Sequence, residues 1–149
     1  MNKTSLLLRN KPLLVIADAD VIVAQAYADD TSHKQVLSLS QLLEELGAHI
    51  LFPSTAISEA VTTLQRKFSD PHLAASTLNL LTEPGIDIEN IDEGIIREAK
   101  KLFDLSVSKH NTFFDCIVAT VAKKHHADAI FSFDDWYSKL GFKLVSNLN

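Results

Sequence analysis

Leu13-Leu14-Val15-Ile16-Ala17, entered after Pro12 and closed by Asp18, is a continuous apolar run of the kind found in a central strand buried on both faces. A strand with no wet face belongs inside a parallel sheet covered by helices on either side, so this run sets the fold class. Downstream, Val21 to Ala28 can begin a helix. Ser32 to Leu46 carries Val36, Leu39, Leu42, Leu43 and Leu46 at amphipathic-helix spacing and is ended by Gly47. His49-Ile50-Leu51-Phe52 is a second short strand, stopped by Pro53. Ser54 or Thr55 is placed to cap the next helix, whose stripe is Ile57, Val61, Leu64 and Phe68.

Ser69-Asp70-Pro71 breaks that helix, and Leu73 to Leu81 forms another. Ile86-Asp87-Ile88 alternates like a strand near the sheet edge with one wet face. Asp92 caps a helix through Phe103. Thr112 to Lys124 reads as the most buried helix, with Phe113, Phe114, Ile117, Val118 and Val121 broadly on one side. Ala129-Ile130-Phe131 is a third core strand, and Lys143-Leu144-Val145 can supply a last one. Strand and helix alternate throughout, which predicts a parallel sheet sandwiched between helices.

The 149 residues, 46% of them hydrophobic, suit one domain with a substantial core, spanning residues 1–149. Only four Gly and four Pro are present, and no repeat or linker-like stretch interrupts the chain. Leu6-Leu7-Leu8 is too short for a signal-peptide core or a membrane span, so the expected location is cytoplasmic, without a membrane partner. A lone cysteine, Cys116, rules out an internal disulfide and reads as core packing. The formal net charge of −5 argues at first against a nucleic-acid partner. Basic groups nevertheless cluster at Lys109-His110, at Lys123-Lys124-His125-His126, and at Lys139 with Lys143.

Four carboxylates, Asp18, Glu59, Asp115 and Asp134, stand at element boundaries. Residues at strand ends and helix N-termini on the carboxyl edge of a parallel sheet converge on one crevice. Like charges brought that close repel unless a cation joins them or a proton is taken up, and oxygen-only ligands point to Mg²⁺ or Mn²⁺ rather than zinc. Each acid also has a structural explanation. Asp18 and Asp20 can cap the helix after the first strand. Asp115 has capping-box spacing with Thr112, although an acid inside Phe113-Phe114-Asp115-Cys116-Ile117 is partly desolvated and needs more than a cap. Glu59 lies opposite the apolar stripe of its helix, where a solvated glutamate is the default. Asp134 and Asp135 can be turn or cap residues. His125 and His126 fit a helix C-terminus, and no Gly-rich phosphate loop, GxSxG elbow or dinucleotide fingerprint is present.

Taken in order, LLVIADADVIVA, ILFPSTAISEAV, NTFFDCIVATVA and AIFSFDDWYSKLGFKLV resemble the PIN-domain nuclease family over essentially the whole chain. Ser132 before Asp134, and Tyr137 before Gly141, match the closing pattern. The resemblance implies a three-layer α/β/α fold with a central, mostly parallel sheet. It places the family's acids on Asp18, Glu59, Asp115 and Asp134, and Asp20 where the family often carries Asn or Ser. The implied activity is a Mg²⁺- or Mn²⁺-dependent endoribonuclease that leaves a 5′-phosphate and a 3′-hydroxyl, with Asp18 and Asp115 as direct ligands and Glu59 and Asp134 completing the shell. Small members look like VapC-type toxins of toxin–antitoxin pairs, which implies a single-stranded RNA substrate, an antitoxin partner and a homodimer.

Two other readings compete. Asp18-Ala19-Asp20-Val21-Ile22 after an apolar strand approximates the opening motif of haloacid dehalogenase-like phosphatases, with Asp18 as nucleophile and Asp20 as general acid. That scheme leaves Glu59 and Asp115 without a role and finds no clear motif lysine. The other is a PIN-like module that binds RNA or protein without turnover.

Overall fold

The computed structural model describes residues 2–106 and 108–148. Its centre is a four-stranded sheet of β1 (Leu14–Ala17), β2 (His49–Pro53), β3 (Asp87–Glu89) and β4 (Ala129–Phe131), in the spatial order β3-β2-β1-β4. All three pairings are parallel, aligning Val15 with Ile50 and Ala129, and Phe52 with Ile88. Successive side chains of a strand leave by opposite faces. Val15 and Ala17 therefore pack with α2 (Ala19–Ala26) and α3 (His33–Glu45), while Ile16 meets α6 (Glu93–Leu105) and α7 (Phe113–Lys124). These helices make the outer layers of the three-layer α/β/α fold. A third apolar cluster joins α2 to α4 (Ser54–Thr62) and α5 (Pro71–Leu81).

Most junctions follow from local chemistry. Gly47 turns the chain after α3 with φ +61°, its N–H donating to the Glu44 carbonyl at 2.9 Å. Asp70 and Asp92 cap α5 and α6, accepting from the N–H groups of Leu73 and Ile95, each at 2.9 Å. Pro71 occupies the first position of α5, where its missing N–H costs nothing. Neither Ser54 nor Thr55 caps α4: the helix starts at Ser54 directly after Pro53, so strand and helix meet without an intervening cap. Beyond Thr62 the helix widens into a π turn, Thr63–Lys67, a turn the sequence pattern does not announce.

The last expected strand, at Lys143-Leu144-Val145, is reduced to one parallel bridge between Leu144 and Ile130, followed by a 3₁₀ turn at Val145–Asn147. Burial explains the bend. Val145 and Leu148, three residues apart, both enter the core on the α2–α3 side, a spacing that a 3₁₀ turn brings to one face and an extended strand does not. Two short helices also stand outside the sequence reading, α1 (Lys3–Leu7) and α8 (Trp136–Lys139). Phe114 departs from its expected burial, being 40% exposed. Among the described residues no helix is long and apolar enough to cross a membrane.

Candidate active site

From β1 the chain builds β2 and β3 to one side and returns to place β4 on the other, so the sheet's topological switch lies between β1 and β4. Crevices of parallel sheets open at the carboxyl ends of the strands flanking such a switch. Asp18 follows β1 there, its own N–H continuing the ladder to the Phe131 carbonyl at 3.0 Å. One carboxylate oxygen accepts from the Ala19 N–H at 2.7 Å, so Asp18 caps α2. The other accepts from the Tyr137 hydroxyl at 2.8 Å and lies 3.0 Å from Ser132 Oγ. Capping and site membership are thus both true of Asp18.

The remaining acids close around it. Asp115 Oδ2 accepts from the Thr112 N–H at 2.8 Å, as its capping spacing predicts, while Oδ1 is 3.4 Å from the Tyr137 hydroxyl. Asp134 Oδ1 accepts from the Trp136 N–H at 2.9 Å, and Oδ2 from the Asn111 side-chain amide at 2.7 Å. That amide also reaches Asp115 at 3.4 Å, so Asn111 spans two acids. Glu59 is half-buried rather than solvated, with an Oε2 that is shielded from water and has no hydrogen-bond partner among the described residues. The stripe on α4 that includes Ile57 faces α2 and α5, which leaves the opposite face looking into the crevice, not into water.

Asp20 is a fifth member. Its Oδ2 accepts from the Phe133 N–H at 2.8 Å and lies 3.0 Å from Ser132 Oγ, while its Oδ1 is buried without a partner among the described residues. Ser132 has a single proton to offer two carboxylates and accepts from the Asp134 N–H at 3.1 Å. The loop after β4 is thereby tied to both acids of the first motif. Neither the bridging part played by Asn111 nor the hydroxyl of Tyr137 was assigned from sequence. Asn111 reads there as one more polar loop residue, and Tyr137 as an aromatic.

No lysine, arginine or histidine ion-pairs with any of the five acids among the described residues. Burial first, then the charges of Asp20 and Asp115, push the Asp18 carboxyl up to about 7. Burial is also the leading cause at Asp20, pushed up to about 6, and at Glu59, pushed up to about 7 with help from Asp18 and Asp115. Asp115 is raised as well, chiefly by burial. The same burial and the neighbouring carboxylates hold the Tyr137 phenol far above its ordinary range, so it remains a proton donor.

Among the described residues no three His, Cys, Asp or Glu side chains are already drawn into a ligand cage. The fit to a hard dication rests instead on the donor set. All the donors are oxygen, and two buried carboxylate oxygens, Glu59 Oε2 and Asp20 Oδ1, have no hydrogen-bond partner among the described residues. A wider open groove, floored by Ile95, Leu102, Ala119, Leu140 and Phe142 on the α6–α7 side, contains none of the five acids.

Comparison with known proteins points the same way. The PIN domain family matches residues 15–143. A VapC ribonuclease of Aquifex aeolicus (strain VF5) is 30% identical over 118 residues, covering 76% of this chain and 84% of that protein. Among solved structures, Mycobacterium tuberculosis VapC20, described as a sarcin-ricin loop cleaving toxin, superposes with a TM-score of 0.76. The overlap covers 86% of this chain and 95% of VapC20 at 16% identity, a likeness of fold alone.

Proposed function

Because the chain belongs to the PIN-domain family, we propose that its crevice holds a Mg²⁺ or Mn²⁺ ion and that the protein is an endoribonuclease hydrolysing RNA phosphodiester bonds as the toxin of a toxin–antitoxin pair. One observation carries this reading: five carboxylates, Asp18, Asp20, Glu59, Asp115 and Asp134, meet at the switch of the sheet with no ion pair to a basic side chain among the described residues. Such a site is costly without a counter-charge. When bound, the ion supplies Lewis acidity toward the phosphate and lowers the pKa of an attacking water.

Asp18 and Asp115 are the direct ligands in this scheme. They are the two acids bridged by one hydroxyl, that of Tyr137, and so face a common point. Glu59 and Asp134 complete the shell, Glu59 with its unpartnered Oε2 and Asp134 with an orientation fixed by Asn111 and the Trp136 N–H. The protonated Tyr137 phenol keeps Asp18 aimed while no cation is present. The products expected of such hydrolysis are a 5′-phosphate and a 3′-hydroxyl.

Single-stranded RNA as substrate, an antitoxin as inhibitor, a homodimer as the working unit, one functional domain over residues 1–149 and a cytoplasmic location complete the proposal. The phosphatase alternative accounts for less of the site. It leaves Glu59 and Asp115 idle, yet Asp115 is one of the charges pressing on Asp18, and Asp18 and Asp115 together raise Glu59.

The test is incubation of the protein with a mixed RNA pool in Mg²⁺ or Mn²⁺, with and without chelator, beside Asp18→Asn and Asp115→Asn. Cutting that needs the cation and vanishes in both variants is the expected result. Cation-independent cutting, or hydrolysis of small phosphomonoesters in place of RNA, would overturn the assignment.

A further inference from the structure

We propose that Phe114 is the platform on which the RNA base next to the scissile phosphate stacks, and so fixes substrate position and base preference. The inference rests on the ribonuclease reading above. Residues at i, i+3, i+4 and i+7 of a helix share one face, which on α7 makes a stripe of Phe114, Ile117, Val118 and Val121. The last three are buried in the core against β1 and α6, yet Phe114 is 40% exposed. It stands one turn nearer the helix N-terminus, past the carboxyl ends of the strands, where no sheet remains to cover it. The next residue, Asp115, is already in the crevice, 3.4 Å from the Tyr137 hydroxyl. Phe114 therefore stands at the end of the helix that borders the carboxylate crevice.

Its neighbours favour a base over an apolar protein surface. Phe113 leaves the helix in another direction and meets Phe103 edge-on, with ring centroids 5.8 Å apart and planes at 80°. Phe114 has no aromatic partner among the described residues. The chain on either side of it is polar, with the exposed Thr112 two residues before and the Asp115 carboxylate one residue after, so this end of the helix presents a single aromatic among polar groups. A nucleobase has a π-face of matching size and polar edges that tolerate such a rim. The loop leading into the helix brings Lys109 and His110, neither of which ion-pairs among the described residues, to the same end of α7, where backbone phosphates would lie. Single strands are taken up in this way, by stacking on aromatics with local positive charge along the backbone.

The experiment measures Mn²⁺-dependent cleavage of a mixed-sequence RNA pool by the wild type, Phe114→Ala, Phe114→Leu and Phe114→Trp, with 5′ ends sequenced and the melting temperature of each variant recorded. Phe114→Ala is expected to raise KM about tenfold, the effect of losing one base stack, with kcat within about twofold and a flattened base preference beside the cut. Phe114→Trp restores both and Phe114→Leu does not, because leucine keeps the apolar area but not the ring. All variants melt close to the wild type. The proposal is overturned if Phe114→Ala leaves KM and the cut-site profile unchanged while the wild type cuts. It is equally overturned if Phe114→Leu matches the wild type, which would mark an apolar protein contact, or if Phe114→Ala melts far lower, which would mark a core residue. Absence of cation-dependent cutting by the wild type would remove the ribonuclease reading itself, a result distinct from the other three.

Discussion

Replacing Asp18 with asparagine should make the cation-free protein more stable at pH 8 while destroying its response to Mg²⁺. Folding raises the Asp18 carboxyl from an ordinary 3.8 to about 7, and Asp20 and Glu59 are raised in the same direction. Between about pH 4 and 7 the folded protein thus binds more protons than the unfolded chain, and its stability falls as pH rises through that window. At ~1.4 kcal/mol for each pH unit between the two titration points, the buried Asp18 charge alone costs a few kcal/mol at pH 8. For a chain of this size that is on the order of 10 °C in Tm. Glu45, Glu89 and Glu98 are held low by their surface partners, and that contribution of the opposite sign lies below their ordinary 4.5, outside the range tested. Asparagine keeps an acceptor for the Ala19 N–H and carries no charge.

Scanning fluorimetry in EDTA from pH 5 to 8, repeated with Mg²⁺, reads all of this. The wild-type Tm in EDTA should fall across the range, and the Asp18→Asn Tm should fall less and lie above the wild type at pH 8. Magnesium should raise the wild-type Tm strongly at pH 8, little at pH 5, and that of Asp18→Asn at neither, since only a ligand that binds the folded form stabilises it. A flat wild-type profile in EDTA, or an Asp18→Asn protein that melts below the wild type at pH 8, would refute the idea that the crevice stores uncompensated charge.

Three further substitutions separate the parts of the site. Tyr137→Phe keeps a fully buried ring and removes only the donor to Asp18, so the unfolding free energy in EDTA at pH 8 should drop by the ~1–3 kcal/mol of an unsatisfied buried group, and a calorimetric Mg²⁺ titration should show weaker binding. Asn111→Ala frees Asp134 and Asp115 together; loss of an orienting partner of this kind predicts roughly 10- to 100-fold weaker metal affinity or activity, read from cleavage rates against Mg²⁺ concentration. Asp70→Ala removes the α5 cap far from the crevice and should cost about 1 kcal/mol in urea unfolding while leaving kcat and KM unchanged.

The features legible in the sequence were those with a local signature. The unbroken apolar runs at Leu13–Ala17 and Ala129–Phe131 announce doubly covered strands, and Gly47, Asp70 and Asp92 act through their own side chains or backbone. Asp18, Asp115 and Asp134 sat where a strand ended or a helix began and could be picked out for that reason. What stayed hidden depended on rotations and partners that no short window contains. A helical wheel gives Glu59 a face opposite Ile57 and Leu64, but not that this face looks across at Asp18 and Asp115. The wheel likewise counts Phe114 with Ile117 and Val118, because it does not know where the sheet stops. Lys143 to Val145 has the composition of a strand, and it is the burial of Leu148 in the same core as Val145, three residues earlier, that goes with a turn there. Asn111 and the Tyr137 hydroxyl act across 23 and 119 residues of chain, a range over which spacing carries no signal.

The acidity that first spoke against a nucleic-acid substrate is accounted for by the same crevice. Asp and Glu number nineteen against fourteen Lys and Arg, and the excess of five equals the number of carboxylates gathered around Asp18. Outside the site the formal charges balance, so the net charge is no argument against a polyanion. Inside it, the field depends on what the acids hold. Deprotonated and without a cation, they repel a phosphodiester at close range; with a dication among them, the local charge is largely cancelled and the phosphate oxygens have a counter-charge to approach. RNA and metal affinity are coupled on this account, each strengthening the other by the same factor. With Lys109 and His110 as the phosphate contacts, RNA binding should weaken only gently with added salt, in contrast to proteins that grip nucleic acid through many phosphate contacts.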